Sequence, residues 1–251
     1  MRKLFLLLGC LFIFTGCVKS NVPPKLSGEE LASQLAAETA ALVYNDDGDI
    51  KVYCTATFIG ADTLLSAAHC GSAIVRKLNG DEDDDEVKMP KDFQLSFVVQ
   101  SEMSSPGAQP SKTHLATVVY HNVEQDLMIL KVVPDSTLPY HPYAAIATKL
   151  PAVGSRLAFM GHPDRVVWSY RSGVVSGYKT SMEHAGMVQI KGLMLEVAAA
   201  ALWRGDSGGG AFDEYGDVVG VASYMLNSVQ GLVFYVSLPT IQKAVASLDQ
   251  K

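Results

Sequence analysis

The decapeptide WRGDSGGGAF, Trp203 to Phe212, sets one carboxylate and one hydroxyl among four glycines, directly behind the apolar run GLMLEVAAAAL. A flexible linker would not be bracketed by strand-like runs, whereas glycines suit a tight turn that aims backbone N–H groups at one point. A serine hydroxyl is a weak nucleophile until an adjacent base takes its proton. Two further stretches could supply what Ser207 needs. LLSAAHC carries an apolar run into His69, and HNVEQDLMILKV opens another with Asp126. His69 could take the Ser207 proton and return it to a leaving amine, while Asp126 holds the imidazole in the right tautomer and stabilises imidazolium. The N–H groups of Gly205 and Ser207 could stabilise a tetrahedral oxyanion. Activity of such a set should rise as the pH passes about 7, where His69 loses its proton.

Other chemistries fit less well. GDSGG also matches G-x-S-x-G, the nucleophile elbow of the α/β-hydrolases, but that arrangement needs a histidine downstream of the serine. All six histidines, His69, His114, His121, His141, His162 and His184, precede Ser207. A phosphate-loop GK[ST] and a metalloprotease H-E-x-x-H are both missing, so no cofactor and no metal are expected. The five other histidines show no matching partners and read as surface or core residues. GDEDDDE, Gly80 to Glu86, is one strong charge run. It reads as a solvated loop, with a calcium site as the sharper alternative because hard cations take several carboxylate oxygens, although it lacks the ligand alternation of an EF-hand loop.

The elements that must position these residues are short. From Ala41 onward, β-rich runs alternate with turn residues: ALVY, KVYCTATFIG, AIVRKL, FQLSFVVQ, LATVVYH and LMILKVV, then, past a Pro-containing linker near 134–143, RLAFMG, VVWSYRSGVVSGY, MVQIKGLMLEV, GGGAFD, DVVGVASYML and LVFYVSL. About six strands on either side argue for β-barrels or sandwiches. A helix is predicted at SGEELASQLAAETA, where Ser27 and Glu30 form a capping-box pattern. Another is predicted at LPTIQKAVASLDQK, with Pro239 in its first turn and Ile241, Val245 and Leu248 on one face. The chain of 251 residues is 48% hydrophobic and carries a net charge of −6 without a Lys/Arg cluster, which excludes nucleic acid as a partner.

In this order, the three stretches resemble the chymotrypsin-like serine proteases. CTATFIGADTLLSAAHC is similar to that family's disulfide-closed strand pair, DLMILKV to its aspartate segment, and GDSGGG to its G-D-S-G-G-P apart from Gly210. VGSRLAFMGHP and YRSGVVSG further resemble the bacterial high-temperature-requirement branch, in a form expected to lack that branch's PDZ domain. The resemblance spans 41–248. It implies an all-β fold of two six-stranded antiparallel β-barrels, trypsin-like, with a C-terminal helix: an N-terminal barrel over 41–135 and a C-terminal one over 136–251. It implies a disulfide between Cys54 and Cys70. It also implies a primary specificity pocket with Ala201 at the floor and Ser223, Tyr224, Met225 and Gly231 as walls, hence polypeptide substrates with an apolar P1 residue. Extended backbone at Ser223–Met225 could pair with substrate by strand addition. No R-I-V-G-G-like activation junction precedes the first strands, so Asp206 must pair elsewhere, with Arg156 or Arg171, and no proteolytic activation is expected. The alternative to an endopeptidase is a catalytically idle protease fold used for binding on the cell envelope.

The first residues, MRKLFLLLGCLFIFTGC, have two cations before an apolar run too short to span a bilayer, as in a signal peptide. Thr15-Gly16-Cys17 resembles the lipobox of bacterial lipoproteins, although Phe14 stands where that family has leucine. This predicts a signal peptide over 1–16, a lipid on Cys17, and a tether with a short helix over 17–40. The chain would be exported and held on a membrane, facing the periplasm or the exterior. Of four cysteines, only Cys54 and Cys70 then stay in the fold, as one disulfide or as two buried thiols.

Overall fold

The runs LMILKV and LVFYVS are apolar at consecutive positions, a pattern that suits strands covered on both faces. The computed structural model, which describes residues 24–80, 87–103, 105, 108–182, 190–199, 202–225 and 231–248, shows what covers them. Strands β1 (Thr39–Asp46), β2 (Asp49–Gly60), β3 (Thr63–Ser66), β4 (Gln94–Val99), β5 (His114–Asn122) and β6 (Leu127–Val132) close into an antiparallel barrel in the order β1-β2-β3-β6-β5-β4. A second barrel repeats that order as β7-β8-β9-β12-β11-β10. Its strands are β7 (Arg156–Gly161), β8 (Ser169–Met182), β9 (Ile190–Ala199), β10 (Gly210–Phe212), β11 (Val218–Met225) and β12 (Leu232–Ser237). Closure pairs every strand on both sides.

Alternate residues of one strand serve different cores. Leu64, Met128 and Leu130 fill the first barrel together with Phe58 and Phe97. Leu157, Phe159, Val233 and Tyr235 fill the second. Their neighbours Leu65, Leu127 and Ile129 from one barrel, and Ala158, Met160, Phe234 and Val236 from the other, meet in a third core between the two. That shared core fixes the barrels against each other, so loops from both can build one site.

Two helices close the shared core. In α1 (Gly28–Glu38) the Ser27 hydroxyl accepts from the Glu30 N–H at 3.3 Å and the Glu30 carboxylate accepts from the Ser27 N–H at 2.9 Å, which completes the capping box. Leu31 and Leu35 enter the core from this helix, and Ile241 and Ala244 enter it from α3 (Leu238–Leu248). Helix α1 passes into β1 without a loop, and just before it Lys25 pairs with Glu214 at 2.6 Å.

One expected strand is a helix. AIVRKL lies inside α2 (Ala68–Asn79), which buries Ala68, Cys70, Gly71, Ser72 and Val75. A six-residue run is too short for its period to tell strand from helix, and Gly80, left-handed at φ 73°, ends the helix by donating its N–H to the Arg76 carbonyl. The first barrel still has six strands because Thr63–Ser66, the run leading into His69, forms β3. The leader with Cys17 and the acidic residues 81–86 lie outside the described residues. Among the described residues, no helix is long and apolar enough to cross a membrane.

Candidate active site

His69 is the second residue of α2, directly after β3, and its side chain is 42% exposed. Asp126, 5% exposed, occupies a left-handed position (φ 49°) between a 3₁₀ turn at Val123–Gln125 and β6. Both ends of β3 and β6 are set by their pairing, with Ser66 opposite Met128. His69 Nδ1 lies 3.0 Å from each Asp126 oxygen, and the His69 backbone N–H donates to Oδ1 at 3.0 Å. Nδ1–H donated to the carboxylate leaves the lone pair on Nε2. The Ser223 hydroxyl adds a third hydrogen bond, to Asp126 Oδ2 at 2.5 Å.

This arrangement shifts both groups. Burial alone would push Asp126 up, but the facing His69 ring and the hydrogen bonds from His69 and Ser223 outweigh it and hold the carboxyl below its ordinary value. Burial lowers His69, and the Asp126 charge and hydrogen bond outweigh that, so the imidazole sits above its ordinary 6.5.

Ser207 is brought to the same place. Its carbonyl accepts from the Thr55 N–H at 2.8 Å and lies 3.6 Å from Cys70 Sγ. Cys70 is disulfide-bonded to Cys54, and both sulfurs lie within 4.8 Å of a His69 ring nitrogen. With the sulfurs joined, this group offers no thiolate to a metal. Two tight turns hold the loop: Asp206 N–H donates to the Trp203 carbonyl at 3.0 Å and Gly209 N–H to the Asp206 carbonyl at 2.9 Å. Among the described residues, the Ser207 hydroxyl and the N–H groups of Gly205 and Ser207 have no hydrogen-bond partner. Glycine is required twice. Gly205 (φ 99°) presses on the His162 carbonyl, and Gly208 (φ 85°) presses on the Ser66 hydroxyl and the Thr55 carbonyl, where a Cβ would overlap.

The sequence profile of the trypsin-like peptidase domain matches residues 54–221, well over half of the chain. The chain belongs to that family. Among solved structures, the active form of the Rv3671c protease from M. tuberculosis is similar at a TM-score of 0.63, with 17% identity over 86% of this chain and 82% of that one. The serine endoprotease from Yersinia pestis is similar at 0.61, with 18% identity over 92% and 68%. The HtrA-type protease AlgW with tripeptide is similar at 0.59, with 18% identity over 87% and 62%. At these identities the likeness is one of fold. No curated protein sequence matches the chain.

In this trypsin-like peptidase domain Asp206 pairs with Arg171, whose two terminal nitrogens take one carboxylate oxygen each. The Trp203 N–H donates to Asp206 Oδ2 at 2.7 Å. Gly161 makes room for the pair, since a Cβ there would overlap it. Arg156, the alternative partner expected for Asp206, is the exposed first residue of β7.

Of the expected pocket residues, Ser223 turns its hydroxyl to Asp126. Tyr224 stacks on Phe234 with ring centroids 5.0 Å apart, and Met225 ends β11 opposite Val233. Gly231 is left-handed at φ 77° just before β12, and Ala201 lies outside the described residues. Beyond β10, the Ser223–Met225 stretch of β11 has β12 on one side and, among the described residues, no strand on the other.

The remaining histidines are better connected than their surroundings in the sequence suggested. His114, fully buried, has Glu102 on Nε2 at 2.8 Å and Asp135 on Nδ1 at 2.7 Å. His121 Nε2 donates to the Ala68 carbonyl at 3.0 Å, and His141 stacks on Phe58. His162 is buried against Thr55, while His184 lies outside the described residues. No local pattern marked the Ser223, Thr55 or Glu102 contacts, because each joins segments that meet only when a barrel closes.

Proposed function

We propose that the chain is a serine endopeptidase that hydrolyses polypeptides through an acyl-enzyme. The observation that carries this reading is the His69 imidazole, oriented by Asp126 and set against the disulfide that the Ser207 backbone also touches. Ser207 Oγ attacks the scissile carbonyl carbon while His69 Nε2 takes its proton. The carbonyl electrons move onto oxygen, which the Gly205 and Ser207 N–H groups stabilise. Collapse of this intermediate expels the amine with the proton from His69, and water repeats the sequence on the ester.

The open side of Ser223–Met225 would take substrate backbone as an added strand. Met225 and the pocket around Ala201 would favour an apolar P1 residue, and cleavage after Lys or Arg in a peptide library would overturn that preference. Export and lipidation at Cys17 belong to the same reading. Loss of the membrane-bound fraction on Cys17→Ser tests them.

A fluorophosphonate forms a covalent adduct only with an activated serine. Labelling of the purified chain, abolished by Ser207→Ala, is the expected result. No labelling of the folded chain would leave an idle, binding fold instead.

A further inference from the structure

The loop that carries Ser207 is held from outside at two successive carbonyls, and both holders lead to the short segment after β7. The Arg204 carbonyl accepts from the Asp164 N–H at 2.7 Å. The Gly205 carbonyl accepts from the Thr55 hydroxyl, also at 2.7 Å, and Thr55 Oγ1 lies 2.8 Å from His162 Nδ1. In a trans peptide the C=O and the following N–H point in opposite directions. Tying the Arg204 oxygen to Asp164 therefore sets which way the Gly205 N–H faces. Tying the Gly205 oxygen to Thr55 removes the freedom that a glycine at φ 99° would otherwise keep.

The protons can be placed by counting donors. Thr55 has one hydroxyl hydrogen and spends it on Gly205, so it must accept from His162, whose proton is then on Nδ1. His162 Nε2 is left as a bare lone pair, and it is buried with no hydrogen-bond partner among the described residues. Burial, with the Arg171 charge nearby, holds this imidazole far below its ordinary value, at about 3. The ring therefore stays neutral and keeps donating to Thr55 at any working pH.

The segment itself is held under strain. Asp164 (φ 45°), Arg165 (φ 68°) and Trp168 (φ 51°) are all left-handed without being glycine, a conformation that persists only where the surroundings impose it. Trp168 supplies part of that constraint. Its ring packs edge-on to His162 at 4.9 Å, and its Nε1 donates to the Thr39 carbonyl at 3.4 Å.

We infer that His162 and Thr55 form a second histidine–hydroxyl pair that does not react but pins Gly205 from its carbonyl side, so that the N–H turned by the Asp164 contact stays on the substrate carbonyl. Both are positioning residues for oxyanion stabilisation, and this role rests on the serine-protease reading above. The distinction from plain packing is that their loss should fall on the transition state.

Thr55→Val keeps the shape and removes the hydroxyl. It should lower kcat by about ten- to a hundredfold, the scale of a displaced oxyanion donor, with KM within about twofold. A peptide aldehyde, whose Ser207 adduct carries the same oxygen, should lose affinity by a similar factor, and Thr55→Ser should restore most of the rate. Because His162 acts through Thr55, adding His162→Asn to Thr55→Val should cost nothing further. An unchanged kcat, a loss confined to KM, or additive losses would overturn the inference. A readout independent of activity separates it from the functional reading. Arg204-Gly205 is the one Arg-Gly step in the chain, so labelling with ¹³C-carbonyl arginine and ¹⁵N-glycine isolates the Gly205 amide signal. Thr55→Val should shift that signal, and an unmoved signal would overturn the positioning role even in a chain that hydrolyses nothing. Failure of Ser207 labelling in the wild type would instead overturn the functional reading.

Discussion

Arg171 holds both carboxylate oxygens of Asp206, the residue immediately before Ser207. With Asp206 2% exposed, this is a buried ion pair tying β8 to the Ser207 loop. The carboxylate therefore needs no newly cut N-terminus as its partner. Ala41, where such a cut would fall, is fully buried inside β1 and paired with both β2 and β4. The chain should be active without cleavage there. Arg171→Met should destabilise it by about 3–5 kcal/mol, because it strands a buried charge, and should lower kcat as the loop loosens. Urea unfolding and ester hydrolysis on the same preparation check both.

The pH profile should follow His69. Its imidazole is raised above the ordinary 6.5, so the neutral base appears only at higher pH, and kcat/KM should climb through a midpoint above that value. Asp126→Asn removes the charge responsible. The midpoint should move down, and kcat should fall roughly ten-thousandfold through the wrong tautomer. Steady-state kinetics from pH 5 to 9 on both forms measure the two effects.

Glu38 should make stability depend on pH away from the site. Burial pushes its carboxyl up from 4.5 to about 7, and Asp217 adds to the effect against the hydrogen bond from Gln34. The folded chain thus binds this proton more tightly than the unfolded chain does. The associated stability is present below about 4.5 and is lost as the pH rises through 7. Glu38→Gln should remove that slope, so that the difference from wild type changes by at most roughly 3 kcal/mol between pH 4.5 and 7.5. Urea titrations at both pH values check it.

The disulfide closes a short segment, with a sequence separation of 16. Converting Cys54 and Cys70 to alanine should lower stability by about 3 kcal/mol. Because Cys70 is next to His69 and touches the Ser207 carbonyl, kcat/KM should fall as well. Reduction of the wild type should reproduce both losses in denaturation and activity assays.

Much of this could be read in advance where the information is local. His69, Asp126 and Ser207 each sit in a short string whose neighbours prepare the conformation: an apolar strand before His69, one after Asp126, glycines around Ser207. Ser27 and Glu30 are three residues apart and cap each other as their spacing predicts. AIVRKL, expected as a strand, is a six-residue run between Gly71-Ser72 and Asn79-Gly80, punctuation that suits either element. What no string could show are pairings across closure. Ser223 reaches Asp126 over 97 positions, His162 reaches Thr55 over 107, and Thr55 reaches Gly205 over 150. Each became visible only once two barrels shared a core.

Helix α1 joins β1 of the first barrel without slack, yet just upstream of it the chain is fastened to the second, through Lys25 and Leu26 on Glu214. Tension applied upstream of Pro24 would thus meet the second barrel first and shear the Lys25–Glu214 clasp. Only after α1 peeled from the seam between the lobes would the load reach β1, two strands ahead of the one leading to His69. Under such a load the strap would act as a mechanical fuse, giving way before the strand that leads to His69.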